Sequence, residues 1–309
     1  MQLISVVTPC YNEEENVEEI YQQIKAVFAN LKKYQYEHIF IDNASSDKTV
    51  AILKSLAERD KNIKVIVNAR NFGHIRSPFY AMLQAQGEAV VLLAADLQDP
   101  PQLIHDFIKQ WEAGFKVVVG VKPASKEAFP MAAIRRAYYN FITKIADMRL
   151  IKNFTGFGLY DKSVINVLRK IDDAYPYFRG LISEIGFPVA QIPFEQPVRA
   201  RGITKNNFYS LYDMAILGIT THSKLPIRIA TLGGFFLAVL SFITALVFLI
   251  LKLALWEHFP VGIAPILIGM FFLASMQLFF IGILGEYVLS IHTQSLKRPL
   301  VVESERVNF

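Results

Sequence analysis

The stretch Ala89–Pro101, AVVLLAADLQDPP, indicates the fold more clearly than any other part of this sequence. A short run of Ala, Val and Leu without alternating polar residues is typical of a strand buried on both faces. An acidic and polar segment follows at once, and then two prolines, which favour the first turn of a helix. The stretch therefore predicts a strand, a polar loop and a helix.

The same order of strand and helix recurs from residue 3 to residue 121. It predicts an α/β domain with a mostly parallel sheet, whose ligands bind beyond the carboxyl ends of the strands. The predicted strands are Leu3–Thr8, Glu37–Asp42, Ile63–Asn68, Ala89–Ala94 and Lys116–Val121. The predicted helices are Asn16–Leu31, Asp47–Arg59, Pro78–Gln86 and Pro101–Ala113.

Two long apolar runs towards the C-terminal end predict membrane-spanning helices. Ile229–Leu251 has 23 residues and Val261–Gly285 has 25, and neither run contains a charged side chain. Each exceeds the ~20 residues that a helix needs to cross a hydrocarbon core ~30 Å thick. A buried helical hairpin of a soluble protein is the alternative. An amphipathic stretch at 206–222 is expected to lie in the membrane interface, to pack against the main domain, or to do both.

The charges around the two runs predict the orientation of the chain. Basic side chains precede the first run and follow the second, whereas the connecting segment has one lysine, Lys252. The positive-inside rule then places both termini in the cytoplasm. The N-terminal segment is strand-like and lacks the pattern of a cleavable signal peptide. We therefore expect a multi-pass protein of the cell (inner) membrane, with its main domain in the cytoplasm.

Charge and cysteine content narrow the class of partner and compartment. The net charge of +5 is concentrated near the two runs, which favours anionic lipid headgroups and phosphates over nucleic acid. Cys10 is the one cysteine in the sequence. It excludes an intrachain disulfide and suits a reducing compartment, and we expect it to be a small buried side chain.

Polar and aromatic residues follow the predicted strands at their carboxyl ends. Tyr11 is expected to stack on a base, and Asn12 to cap the next helix. Asp42 is expected to accept hydrogen bonds from a base or ribose. Asp96 directly follows a buried strand and suits Mg²⁺ or Mn²⁺, which favour carboxylates together with substrate phosphates. Asp99 precedes two prolines and is expected to have a structural role.

Five motifs in order resemble the family 2 glycosyltransferases, and within them the polyprenyl-phosphate branch that includes dolichyl-phosphate mannose synthases and GtrB-type bactoprenol glucosyltransferases. The matching segments are Pro9–Asn16 (P-x-Y-N-E-E-x-N), Asp42–Thr49 (D-D-x-S-x-D-x-T), Arg70–Gly73 (R-N-x-G), Ala94–Pro101 (D-x-D-L-Q-D-P-P) and Arg199–Lys205 (R-x-x-G-x-S/T-K). The resemblance extends from residue 1 to the second apolar run. It implies a GT-A fold, a nucleoside-diphosphate sugar donor and inversion at the anomeric carbon.

The resemblance also implies four groups of site residues. The nucleotide sugar would contact Pro9, Tyr11, Asn12, Glu13, Asp42, Asn71, Gly73, Ala95 and Asp96. A divalent metal would be held by Asp96 and Gln98, and the acceptor phosphate by Lys122, Arg135 and Arg136. Asp96, Arg199 and Lys205 would act in catalysis, with the two basic residues closing over the phosphates.

The sequence departs from the family pattern at three positions. Asn43 replaces the second Asp of the D-D motif. Ala94 replaces the first Asp of D-x-D, which predicts a weaker metal site completed by the diphosphate and water. Gly156 stands where many relatives have an acidic residue, and the nearby Asp161 is expected to start a helix. A phosphate monoester, with a second pKa near ~6, is already largely dianionic at neutral pH and needs little proton abstraction. The missing acidic residues are therefore tolerable, and whether an acidic catalytic base is used stays open.

We therefore expect an α/β GT-A domain at 1–205, a juxtamembrane amphipathic helix at 206–224, a transmembrane hairpin at 225–290 and a cytoplasmic tail at 291–309. The expected reaction is inverting transfer of a hexose, with glucose from UDP-glucose favoured, to an undecaprenyl phosphate-type lipid at the cytoplasmic membrane face. Sugar identity, UDP against GDP and lipid chain length stay open, as do a homo-oligomer, a flippase and a downstream glycosyltransferase as partners.

Three rival functions differ in what they would require of the sequence. A polysaccharide synthase would carry a Q-x-x-R-W element, and neither Trp111 nor Trp256 lies in one. A dinucleotide oxidoreductase would need a glycine fingerprint after the first strand, where the sequence has Pro9–Asn12 instead. A non-catalytic sugar-nucleotide-binding membrane protein would have Ala94 as the mark of lost activity.

Overall fold

The computed structural model describes residues 1–122, 151, 153–196, 225–254 and 262–309. Within these ranges eight strands form one sheet, with helices packed on both faces. The strands are β1 Gln2–Cys10, β2 Tyr34–Asp42, β3 Ile63–Asn68, β4 Ala89–Leu92, β5 Val117–Val121, β6 Phe154–Asp161, β7 Val189–Pro193 and β8 Glu303–Val307. The helices are α1 Val17–Asn30, α2 Thr49–Arg59, α3 Gly73–Gln84, α4 Ile104–Glu112, α5 Lys162–Leu168, α6 Phe178–Glu184, α7 Leu225–Ala254 and α8 Ile263–Ser295.

The strand order across the sheet is β7-β5-β6-β4-β1-β2-β3-β8. The strands β4, β1, β2 and β3 are parallel neighbours, and β5 is parallel to β7. The strand β6 runs antiparallel between β4 and β5, and β8 runs antiparallel along β3. The predicted parallel arrangement is thus confirmed for the centre of the sheet, whereas both flanks are mixed.

Two apolar cores lie on opposite faces of the sheet because successive strand residues point to opposite sides. Val6 belongs to the core that includes buried residues of α1, α2 and α4, whereas the adjacent Val7 belongs to the core that includes those of α3, α5 and α6. Both valines are fully buried. This burial on two faces explains the near-continuous apolar runs from which the strands were predicted.

All five predicted strands and four predicted helices are present, with shifted ends. The largest shift is in α3, which begins at Gly73 and contains Pro78, the residue predicted to start it. Proline suits the first turn of a helix. It can also lie within a helix when the loss of one backbone hydrogen bond, which proline has no N–H to donate, is tolerated. The strands β6, β7 and β8 were not predicted.

The helices α7 and α8 are long and apolar enough to cross a membrane. Their lengths of 30 and 33 residues correspond to about 45 and 50 Å at ~1.5 Å per residue, which exceeds a hydrocarbon core of ~30 Å. Large apolar side chains such as Phe235, Phe242 and Phe271 are exposed along them. Lipid contact accounts for an exposed apolar surface of this kind.

The segment after α8 returns to the sheet. Residues 303–307 form β8 against β3, and Ala69 N donates to the carbonyl of Val302 at 2.8 Å. The region 291–309, predicted as a cytoplasmic tail, therefore consists of the end of α8, a turn and the edge strand of the main domain. The predicted juxtamembrane helix at 206–224 lies outside the described residues.

Candidate active site

The carboxyl ends of β1, β2, β3 and β4 meet at one edge of the sheet, and the predicted site residues follow them. Cys10 is paired with Asp42, and Asp42 with Val67, so the loops after these strands begin side by side. Cys10 itself is buried, as predicted, and burial raises the pKa of its thiol well above the usual range.

The loops after β1 and β2 are joined by reciprocal hydrogen bonds. Asn12 N donates to Ser45 Oγ at 2.8 Å, and Ser46 N donates to Asn12 Oδ1 at 2.8 Å. Glu13 N donates to Thr49 Oγ1 at 2.9 Å. These bonds hold the two loops together as a single floor at the sheet edge.

The expected helix cap by Asn12 is wrong. The helix α1 begins at Val17, and Asn12 has a positive φ of 53° with its side chain bonded to Ser46. The carbonyl of Glu13 instead accepts from the N–H groups of Asn16 and Val17 at 2.9 and 3.1 Å. Asparagine tolerates this left-handed conformation better than most residues, so residue 12 serves the loop and not the helix.

Asp42 organises the second loop. Its two carboxylate oxygens accept from the N–H of Ser45, at 2.9 Å, and from the hydroxyl of Ser45. Burial raises the pKa of Asp42, while the hydrogen bonds from Ser45 oppose that shift. The nearby Tyr11 is half-buried at the mouth of the sheet. Contact of either residue with a nucleotide stays a prediction.

Asn43 is a site residue that the sequence analysis missed. Its Nδ2 donates to Asn71 Oδ1 at 2.9 Å and to the Gly73 carbonyl at 3.2 Å, while its Oδ1 accepts from Phe72 N at 2.8 Å. Asn71 Oδ1 also accepts from Gly73 N at 2.8 Å. A carboxylate at position 43 could accept but not donate. Asn43, where the D-D motif has its second Asp, was therefore the available sequence signal. Its amide group joins the loops after β2 and β3.

The loop after β4 brings two carboxylates close together. Asp96 is half-buried, and its Oδ1 accepts from Gln98 N at 3.2 Å. Asp99 is buried, and its Oδ2 lies 3.5 Å from the donor Ala94 N. Burial and then the charge of Asp96 raise the pKa of Asp99 to about 6, while Lys122 opposes the shift. Asp96, Asp99 and Lys122 therefore share one electrostatic environment.

A divalent cation of the Mg²⁺ or Mn²⁺ type fits this loop. Asp96 and Gln98 supply oxygen donors that remain partly open to solvent, and hard cations prefer oxygen ligands. The mutual repulsion of Asp96 and Asp99 marks a negative potential that a cation would relieve. Among the described residues there is no group of three or more His, Cys, Asp or Glu side chains placed to hold a metal. The remaining ligands would be substrate phosphates and water.

A cleft of about 190 Å³ opens beside this loop, between α3 and the segment around β6 and α6. Pro9, Ala94 and Asp99 lie at its sheet side, and Gly156 contributes from β6. Gly156 has a φ of 109°, a conformation suited to glycine. The glycine at position 156 departs from the family pattern, but it is the residue type that the backbone conformation at this position favours.

His74 and Arg179 line the same cleft and were also missed. Desolvation and then the positive charge of Arg179 lower the pKa of His74. The imidazole is therefore expected to be neutral at pH 7. His74 directly follows the R-N-x-G segment, which was the available signal, whereas Arg179 carries no motif of its own.

Three further predictions concern Lys122 and Ala95 near this edge and Asp161 at the opposite edge of the sheet, where it pairs with Ala89. Lys122 Nζ donates to Gln196 Oε1 at 2.6 Å at the end of β5. Ala95 is buried in the core, so any contact with a ligand would come from its backbone. Asp161 has the expected structural role, since it caps α5 through Ser163 N at 2.9 Å and accepts from Trp111 Nε1 at 2.7 Å.

The structure thus brings together residues from the carboxyl ends of five strands, β1 to β5. Other predicted residues lie outside its described part. The residues gathered at the sheet edge are Pro9, Tyr11, Asn12, Glu13, Asp42, Asn71, Gly73, Asp96, Gln98 and Lys122. Arg135, Arg136, Arg199 and Lys205 lie outside the described residues.

The sequence matches a family profile over this domain. Residues 5–168 match Glycosyl transferase family 2, which is more than half of the chain. The chain therefore belongs to glycosyltransferase family 2, and its mixed α/β sheet is of the GT-A type.

Relatives of similar length extend the match over both apolar helices. The uncharacterized glycosyltransferase sll0501 of Synechocystis is 31% identical over 98% of this chain and 95% of its own. The putative glycosyltransferase CsbB of Bacillus subtilis is 32% identical over 96% and 90%. The bactoprenol glucosyl transferase of Shigella phage SfV is 30% identical over 98% and 99%.

Solved structures share less sequence. The mannosyl-3-phosphoglycerate synthase of Rubrobacter xylanophilus has 16% identity and a TM-score of 0.48 over 75% of each chain. The Pyrobaculum calidifontis mannosyltransferase PcManGT, in complex with GDP-Man and Mn²⁺, has 18% identity and a TM-score of 0.46, over 70% of this chain and 61% of its own.

Proposed function

We propose that this glycosyltransferase moves a hexose, with glucose from UDP-glucose favoured, onto a polyprenyl phosphate at the cytoplasmic face of the cell membrane. The observation that carries the proposal is the meeting of Asp96, Asp99 and Lys122 at the edge of the sheet, beside a cleft. Similarity to bactoprenol glucosyl transferases over nearly the whole chain, including α7 and α8, supports the choice of acceptor.

The donor would lie across the joined loops after β1, β2 and β3. Tyr11 offers a ring for the base, and the Asn12–Ser46 and Asn43–Asn71 bonds keep the floor in one shape before the ligand arrives. A floor held by the protein's own hydrogen bonds loses little conformational freedom on binding. The diphosphate would then extend towards Asp96.

The acceptor chemistry places few demands on a base. A lipid phosphate is largely dianionic at neutral pH, so its oxygen can attack the anomeric carbon in line with the departing diphosphate. Five basic side chains would orient the two anions and balance their charge. They are Lys122, Arg135, Arg136, Arg199 and Lys205. A divalent cation held by Asp96 and Gln98 would, when bound, offset the charge of the leaving diphosphate.

Replacement of Asp96 tests this proposal. We expect Asp96→Ala to lower the rate at least about 100-fold, as is typical when a group that stabilises developing charge is removed. The measurement is transfer of labelled glucose from UDP-glucose to undecaprenyl phosphate by the purified full chain with Mg²⁺. Asp106→Ala is the matched control, because Asp106 is an exposed aspartate on α4.

A variant that keeps more than about a tenth of the parent rate would refute the role of Asp96. The transfer assay combined with calorimetry distinguishes this function from its rival. Metal-dependent binding of UDP-glucose by the parent chain in calorimetry, with no lipid-extractable product in the transfer assay, would favour a non-catalytic sugar-nucleotide-binding protein. A panel of other labelled nucleotide sugars would identify the donor.

A further inference from the structure

A second cleft, distinct from the proposed active site, lies between the β3–α3 loop and the segment after α8. It has a volume of about 310 Å³ and is lined by Ala69, Arg70, Phe72, Arg76, Arg298, Pro299 and Val302. None of these lining residues is acidic. We name it the arginine cleft.

Three guanidinium groups converge at the arginine cleft. Those of Arg70 and Arg76 lie 4.0 and 5.4 Å from the centre of the Phe72 ring. Arg76 also donates to the carbonyl of Pro299, next to Arg298. The tail therefore presents its arginine to the same space as the two arginines of the main domain.

The positive charge of the arginine cleft has no counterion among the described residues. No carboxylate there forms an ion pair with Arg70, Arg76 or Arg298. Glu303, the acid that follows in the tail, is engaged by Arg306 at 2.5 Å and by Tyr80 at 2.8 Å.

The local environment of Arg76 agrees with an anion site. Its Nε is buried and has no hydrogen-bond partner within the described part of the chain. Burial, and then the charges of Arg70 and Arg298, lower the pKa of Arg76. Like charges held together at this cost are stabilised when an anion binds between them. The planar guanidinium fork matches the oxygens of a phosphate group.

The position of the cleft, close to the end of α8, indicates where that anion comes from. The apolar side chains of Val288, Leu289 and Ile291 are exposed along the last turns of α8, and Leu296 is exposed just beyond it. Arg298 follows Leu296 by two residues. A lipid-facing surface that ends two residues before an arginine places the cleft at the level of the headgroups, where basic residues attract anionic lipids.

We propose that the arginine cleft binds the phosphate headgroup of an anionic membrane phospholipid. The shared chemistry is that of a phosphate anion, and the lipid is the source to which the proposal commits. This inference does not depend on the sugar donor or on the acceptor of the reaction. A bound headgroup would join α8, the tail and the β3–α3 loop through one set of charge-assisted bonds.

Native mass spectrometry of the full chain in detergent, titrated with phosphatidylglycerol or phosphatidylcholine, tests the proposal. We expect preferential binding of phosphatidylglycerol. Arg298→Gln should weaken it about fivefold, and Arg70→Gln combined with Arg298→Gln about fivefold more, from the contribution of each arginine near an anionic surface. Arg59→Gln is the matched control, since this exposed arginine ends α2 near the opposite end of β3.

Three outcomes would overturn the proposal. The first is equal binding of phosphatidylglycerol by the parent and the double variant, and the second is an equal loss of binding in Arg59→Gln. The third is displacement of the lipid by sub-millimolar inorganic phosphate, which would assign the cleft to a free anion. The melting temperature of each variant, measured without lipid, must stay within about 2 °C of the parent, so that a loss of binding is not a loss of folding.

Discussion

The buried carboxylate of Asp99 makes the stability of the folded protein depend on pH. Its pKa is about 6 in the folded protein, against ~3.9 for an unperturbed aspartate. The folded state therefore binds the proton more tightly than the unfolded state does. The stabilisation by this proton is fully present below pH ~4 and is lost as the pH rises through about 6.

We predict that Asp99→Asn raises the stability of the protein at pH 7.5, measured without divalent cations. The gain has an upper limit of about 3 kcal/mol, since each pKa unit corresponds to ~1.4 kcal/mol. The asparagine Oδ1 can still accept from Ala94 N. Melting temperatures at pH 5, 6 and 7.5 should show the difference from the parent shrinking as the pH falls. Asp106→Asn, at an exposed position on α4, should show no such trend.

A difference in melting temperature that is the same at all three pH values would contradict the assignment of this titration to Asp99. The residue also shows a limit of sequence reasoning. The D-P-P pattern predicted a structural aspartate at a helix start, whereas the side chain of Asp99 caps no helix and is buried beside Asp96 at the cleft. That proximity depends on the path of the loop after β4, where Leu97 adopts a positive φ of 58°.

At the scale of elements, β6 connects the two parts of the sheet, because it pairs with both β4 and β5. Its sequence does not look like that of a strand. The strand FTGFGLYD contains two glycines, which are usually depleted in strands. The structure explains Gly158, because a Cβ there would meet the carbonyl oxygen of Val118 and would lie 3.1 Å from Val119 Cα. Close approach of β5 and β6 therefore requires a glycine, and the requirement is visible only once the two strands are paired.

We predict that Gly158→Ala lowers the free energy of unfolding by at least about 2 kcal/mol, because the added methyl group meets backbone atoms that cannot rotate away. The yield of folded protein in membranes and its melting temperature measure the effect. Gly234→Ala is the control, since a Cβ at Gly234 meets no atom within 4 Å. If Gly158→Ala melts within about 1 °C of the parent, the β5–β6 spacing described above is wrong.

The β1 to β5 alternation was predictable, because strands buried on both faces differ sharply in composition from the helices between them. The motif residues at the sheet edge were predictable for the same reason, as they end apolar runs. The arrangement of β6, β7 and β8 was not, since it depends on pairing between segments far apart in sequence. Asn43 illustrates the same limit, because its amide bonds residues 28 and 30 positions away.

At the scale of the whole molecule, β8 joins the membrane hairpin to the main domain. Besides its pairing with β3, Lys54 Nζ lies 2.5 Å from Glu305 Oε2, and Asn308 Nδ2 donates to the carbonyls of Ala57 and Ile63 at 2.7 and 2.9 Å. The charge pattern predicted a tail on the same side as the main domain, and the structure adds a direct connection to its sheet.

We predict that removal of residues 300–309 lowers the melting temperature and increases aggregation, because β3 becomes an unpaired edge strand. Insertion of α7 and α8 into the membrane should continue, since their apolar runs are unchanged. Thermal unfolding and size-exclusion chromatography of the extracted protein measure both effects. Glu305→Gln, which removes only an exposed ion pair worth ~0–1 kcal/mol, should behave like the parent. A truncated chain as stable as the parent would show that β8 adds nothing to the fold.

The pairing of β8 with β3 also sets an order of events during biosynthesis. β3 emerges from the ribosome early, but its partner is translated only after α7 and α8. The sheet therefore stays incomplete until α7 and α8 have both been translated. A chain arrested before residue 303 would present an open strand edge to cellular chaperones and proteases, so completion of the sheet reports that both helices have been made.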